Sequence, residues 1–97
     1  MAQVEKKQEG VYLVSGEIDF STVMPLLTQF RSLSSRERNI QIDLSGLKKT
    51  NSAGLAFLME ILAQAQKNGQ ILKISNIPAS LMDLASMCNV DHLLQAA

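Results

Sequence analysis

Residues 40–69 read IQIDLSGLKKTNSAGLAFLMEILAQAQKNG, and two periodicities meet inside them. Ile40, Ile42 and Leu44 alternate with Gln41 and Asp43, the period of two that marks a strand with one buried side. From Leu55 the period lengthens. Leu55, Leu58, Met59, Leu62 and Ala65/Gln66 fall on one face of a helix, and Asn68-Gly69 supplies a left-handed stop. Between them Ser45 to Ser52 reads as a loop of small polar residues. A second apolar strand, Ile71-Leu72-Lys73-Ile74-Ser75, follows directly. A strand–helix–strand unit of this length implies a crossover between parallel strands.

The same unit extends in both directions. Upstream, residues 2–9 (AQVEKKQE) are polar with weak alternation and suit an edge strand, Glu9-Gly10 a turn, and Val11 to Val14 a short buried strand. Gly16-Glu17-Ile18-Asp19 breaks that strand. Ser21 then serves as a candidate N-cap, with Pro25 in the first turn and Val23, Leu26, Leu27, Phe30 and Leu33 at helical spacing until Arg36–Asn39. Downstream, Pro78 opens a helix through Leu81, Leu84, Ala85 and Cys88 that stops at Asn89. Val90 to Leu94 forms a short final element docking Leu93 and Leu94. The predicted order is β-β-α-β-α-β-α, an α/β fold whose mixed sheet has an antiparallel opening hairpin and helices packed against it.

The chain has 97 residues, enough for one domain over 1–97. Its 46% hydrophobic and 4% aromatic content predicts an aliphatic core. Nine basic residues balance nine acidic ones, and the local basic spots (Lys6-Lys7, Arg36 with Arg38, Lys48-Lys49) do not interleave with aromatics. That pattern argues against nucleic-acid binding. A single cysteine cannot form an internal disulfide, which suits a reducing compartment. Met1 to Gly10 carries no apolar h-region, and no apolar run nears the ~18 residues of a membrane span. These features predict a soluble, cytoplasmic protein.

Catalytic constellations are absent from the sequence. His92 is the only histidine and reads as a surface or helix-end residue, while Cys88 falls on the apolar side of its helix and reads as a small buried hydrophobe. One His and one Cys do not make a tetrahedral N/S metal site. No G-x-x-x-x-G-K-[ST] loop accompanies Gly46 or Gly54. No enzyme activity and no cofactor are expected.

Two segments stand out instead. Gly16-Glu17-Ile18-Asp19 and Asp43-Leu44-Ser45-Gly46-Leu47, the latter continuing through Thr50-Asn51-Ser52-Ala53-Gly54-Leu55, each join a strand to a helix start. Loops of that kind gather at one end of a sheet. For the first, the structural reading is a turn placing negative charge near a helix N-terminus. For the second it is a helix cap by Asn51 or Ser52, worth about 1 kcal/mol. The functional reading gives Ser52 an exposed hydroxyl on a protein-docking rim, with small Ala53 and Gly54 letting a partner approach the backbone. A phosphate on Ser52 would meet free N–H groups and add a charge of about −1.5 to −2. Ala56, Phe57 and Ile61 lie on a shoulder of the long helix. Phe57 and Ile61, four apart, either widen the buried stripe or form an exposed patch for a partner.

The element order, Gly16-Glu17-Ile18-Asp19, Asp43-Leu44-Ser45 and Asn51-Ser52-Ala53-Gly54-Leu55 together resemble the STAS domain family, whose anti-sigma-factor antagonists carry G-E-L-D and D-S-S-G-L segments in these places. The resemblance runs from about residue 10 to the end. The stretch SAGLAFLMEILAQAQKNG is most similar to the STAS subunits of bacterial phospholipid-transport ABC systems. It implies a cytoplasmic subunit held at the inner membrane through an ABC-transporter ATPase, which it supports without hydrolysing ATP, in a complex that maintains outer-membrane lipid asymmetry. By the same resemblance Ser52 matches the phosphorylatable Ser of the antagonists and a functionally needed Thr of the transport subunits, and Asp19 the acidic residue of the first loop. The implied contact surface is Ser52, Ala53, Ala56, Phe57 and Glu60 with Asp19 adjacent. Asn51 and Ala53 depart from the antagonist pattern, where Asp and a second hydroxyl residue are usual. Those departures favour the transport subunit over an antagonist controlled by phosphorylation of Ser52.

Overall fold

The computed structural model describes residues 2–49 and 51–96. Thr50, in the loop expected before Ser52, lies outside the described residues. An edge strand β1 (Gln3–Gln8) turns back into β2 (Val11–Glu17), and the two pair antiparallel. Gly10 makes the turn at φ +74°, with the Asn39 carbonyl oxygen 2.5 Å from where a Cβ would stand. Only glycine fits there without moving the strands. Then follow α1 (Val23–Ser34), β3 (Asn39–Lys49), α2 (Ser52–Lys67), β4 (Ile71–Ser75), α3 (Ala79–Met87) and α4 (Asp91–Ala96).

The sheet order is β1-β2-β3-β4, with β3 parallel to both neighbours. Each crossover moves one strand along in the same direction, and right-handed connections then put every helix on one face. Burial follows. Val4, Tyr12, Val14, Ile40, Ile42, Leu44 and Leu72 point into the core with Leu26, Phe30, Phe57, Leu58, Ile61, Leu81 and Leu94 from the helices. Glu5, Gln41 and Lys73, one step out of phase, lie exposed on the bare face.

The expected aliphatic core has an aromatic spine. Tyr12 meets Phe30 edge-on at 5.7 Å and Phe30 meets Phe57 edge-on at 6.3 Å between ring centroids. The Tyr12 hydroxyl donates to the Leu33 carbonyl at 3.0 Å.

Several sequence-based boundaries move. β3 runs on through Lys49 where a loop was expected, because Gly46, Leu47 and Lys49 pair with Ser15, Gly16 and Glu17 of β2 across register shifts. The polar composition of that stretch conceals the pairing. The N-cap position of α1 falls at Thr22, without a side-chain capping bond, and not at Ser21, whose N–H and hydroxyl are taken by Asp19. Leu33, expected on the apolar face, is exposed, and so is Leu93, while Leu94 is buried and docks α4. Cys88, expected to be buried, is exposed at the C-cap of α3, where the chain is already turning through Asn89 at φ +59°.

Candidate functional site

The end of the sheet where β2, β3 and β4 finish is also where α1, α2 and α3 begin. The pairing of Glu17 with Lys49 sets the Asp19 loop beside the start of α2. Asp19 organises its own loop. Its Oδ1 accepts from the Ser21 hydroxyl at 2.6 Å, the Ser21 N–H at 2.9 Å and the Thr22 N–H at 3.0 Å. Thr22 Oγ1 accepts from the Asp19 N–H at 2.9 Å. The bond from the Ser21 hydroxyl, with those from the backbone N–H groups, holds the Asp19 carboxyl below the usual aspartate range. The carboxylate is committed to the turn.

At the head of α2 the cap is Asn51. Its side-chain oxygen accepts from the Ala53 N–H at 2.8 Å, while its carbonyl accepts from the Gly54 N–H at 2.9 Å. Ser52 is therefore the first helical residue, and its side chain stands exposed with capping already supplied by its neighbour.

A third tie closes the same end. Asp43 Oδ1 accepts from Asn76 Nδ2 at 2.9 Å and from the Ser45 N–H at 2.8 Å, and the Asn76 bond leads in lowering the Asp43 pKa. Asn76 itself takes φ +56°, a left-handed turn that Asn tolerates, as the chain leaves β4 for α3.

The expected contact surface divides. Ser52, Ala56 and Glu60 are exposed and, at spacings of four, form one ridge along α2. Glu60 Oε2 lies 3.4 Å from Arg31 Nη2 of α1. Asp19 is half-buried on the adjacent loop. Ala53 and Phe57, however, have 0% exposure and Ile61 2%. Of the two alternatives for Phe57 and Ile61 the wide buried stripe holds, and the expected place of Ala53 and Phe57 on the contact surface is corrected. α2 lies between α1 and α3 and over the sheet, so it presents apolar residues on more than one side.

The rim holds a pair that sequence reasoning passed over. Phe20 is 73% exposed and Met24 60% exposed, four apart at the start of α1. The available signal was Phe20 itself, a large aromatic between Asp19 and Ser21 and outside any apolar periodicity.

Among the described residues no three His, Cys, Asp or Glu side chains are grouped to hold a metal ion. Among them, too, no helix is long and apolar enough to cross a membrane.

A four-stranded mixed sheet backed on one face by helices, with a hydroxyl residue exposed at the head of α2, defines a STAS-type domain. The family profile described as "Mlab, STAS domain" matches residues 1–95, and the chain belongs to that family. It is 33% identical over 89 residues to the intermembrane phospholipid transport system binding protein MlaB of Haemophilus influenzae, covering 87% of this chain and 85% of that protein. Two solved structures share the fold. The anti-sigma factor antagonist SpoIIAA in its unphosphorylated form superposes with a TM-score of 0.71 at 11% identity, over 95% of this chain and 84% of its own. An anti-sigma factor antagonist from Mycobacterium paratuberculosis does so with a TM-score of 0.67 at 23% identity, over 96% and 80%.

Proposed function

We propose that this chain, as a single STAS domain over 1–97, is a non-catalytic subunit of an ABC phospholipid transporter. It binds and supports the MlaF-like ATPase at the cytoplasmic face of the inner membrane, and the complex maintains outer-membrane lipid asymmetry. The observation that carries this reading is the 33% identity to MlaB along most of both chains. The exposed ridge of Ser52, Ala56 and Glu60 supports it by offering a helix face on which a partner can sit. Ala53 and Phe57 act from beneath, holding α2 in place, and Asp19 shapes the neighbouring loop.

Co-purification of the tagged protein with its ATPase tests the reading. Ser52→Asp and Ala56→Arg alter only exposed positions, so both variants fold, and both lose the ATPase. Full retention by both overturns the assignment.

A second reading rests on the exposed Ser52 hydroxyl at a helix N-terminus, where a phosphate would find favourable dipoles. In that case the chain is an antagonist switched by serine phosphorylation. Incubation with the cognate serine kinase and ATP, followed by intact mass, adds one phosphate at Ser52 if this reading holds. An unchanged mass rejects it.

A further inference from the structure

We infer that the seam between the C-terminal halves of α1 and α2 binds a small aliphatic carboxylate, its head on the Arg31 guanidinium and its tail in the cavity behind. The site lies toward the other end of α2 from Ser52 and stands whether or not the ATPase reading does. A cavity of about 100 Å³ sits between the two helices and the sheet. That is several times the roughly 10–15 Å³ that one water needs. Phe30, Ile40, Ile61, Ala65 and Leu72, all buried, make its apolar wall. Half-buried Arg31 and Gln64, with exposed Asn68, bring polar groups to its solvent side.

Arg31 carries an unmet donor. Its Nε is buried, yet no described residue offers it an acceptor within hydrogen-bonding reach, and among the described residues no other buried side-chain nitrogen or oxygen is left so. A charged donor kept from water without an acceptor is costly. The groups around it are committed elsewhere. The Ser34 and Glu37 carbonyls accept from the Gln70 amide at 2.9 and 2.8 Å, and the Ser34 hydroxyl donates to the Phe30 carbonyl at 2.7 Å. Glu60 Oε2 meets only Nη2, at 3.4 Å, longer than the about 2.7–2.9 Å of a firm charged pair. An edge of the guanidinium is thus left for an acceptor. Its planar fork suits a carboxylate, which takes Nε and a terminal nitrogen together. The apolar wall behind suits a short aliphatic tail and disfavours a more highly charged anion.

The test titrates sodium butyrate into the isotope-labelled full-length chain and follows amide shifts, with sodium chloride at matched ionic strength as control. Shifts around Arg31, Ile61 and Ala65 should saturate with a Kd of about 1 mM. Acetate, two methylenes shorter, should bind about tenfold more weakly. Arg31→Gln, first checked for an unchanged melt, should weaken butyrate by about tenfold or more. Glu60→Gln, which removes the rival carboxylate, should tighten it. Shifts that never saturate, that chloride reproduces, or that Arg31→Gln leaves intact overturn the site. Equal affinity for acetate and butyrate overturns it too, because the cavity then holds no tail. So does a butyrate co-crystal in which Nε meets only water.

Discussion

Phe57 has no exposed surface, and its ring closes the aromatic spine that begins at Tyr12. Phe57→Ala should therefore cost about 3–5 kcal/mol, read as a lowered denaturation midpoint, a large part of the stability of about 5–15 kcal/mol typical of small domains. Its neighbours at the head of α2 differ in how much the fold needs them. Asn51→Ala removes the cap and should destabilise by about 1 kcal/mol, whereas Ser52→Ala should stay within about 0.5 kcal/mol. Urea titrations of the two variants give that contrast directly. The sequence alone left the cap open between positions 51 and 52, because both side chains are short hydrogen-bonding groups. Geometry decides for Asn51, since its oxygen faces the Ala53 N–H. Asp43 adds a pH dependence. Its folded pKa is depressed by the Asn76 amide and the Ser45 N–H, so its contribution is full above the ordinary aspartate value of about 3.9 and is lost as pH falls through the lower folded value. Thermal melts from neutral to strongly acidic pH should show stability falling below about pH 4, with a shallower fall in Asp43→Asn.

Among the elements, those with a single clear period were legible before any coordinates. β4 and the span of α2 with its Asn68-Gly69 stop lie where the sequence predicts them, the latter with Gly69 at φ +67°. The second half of β3 was not legible, because its signal lies in backbone pairing to β2 and not in side-chain alternation. Gly46 marks that pairing. A Cβ there would stand 2.7 Å from Ser15 Cβ and 3.0 Å from the Val14 carbonyl oxygen, so Gly46→Ala must push β3 away from β2. The expected loss is about 1–3 kcal/mol, visible in urea unfolding, together with faster amide exchange in residues 44–49. The sequence left Phe57 and Ile61 open between a buried stripe and an exposed patch, and the placing of Ala53 and Phe57 on the contact surface failed, for a related reason. A one-face helical reading assumes a single buried side, and a helix flanked by two others over a sheet has a wider one.

For the molecule as a whole, the mixed sheet, its antiparallel opening hairpin and its parallel crossovers followed from the alternation of elements along the chain, whereas the strand order is seen only in the structure. The surface the chain leaves open did not follow, since exposure of Phe20 and Met24 depends on what the rest of the fold fails to cover. The bare sheet face ends in two edges, β1 with Lys6 and Lys7 and β4 with Lys73. Lysines on an edge discourage pairing with another chain. Lys73→Val, beside the exposed Ile71, should therefore raise light scattering of a concentrated sample on storage, while the melting temperature changes little.

β3 occupies the middle of the sheet, is hydrogen-bonded on both sides to strands running its own way, and is the element that precedes α2 in the chain. A tug delivered at the head of α2 is transmitted along the strand axis, where both flanking ladders resist in shear at once and no single bond can unzip ahead of the others. A pull applied at that head would thus load the domain through its stiffest direction.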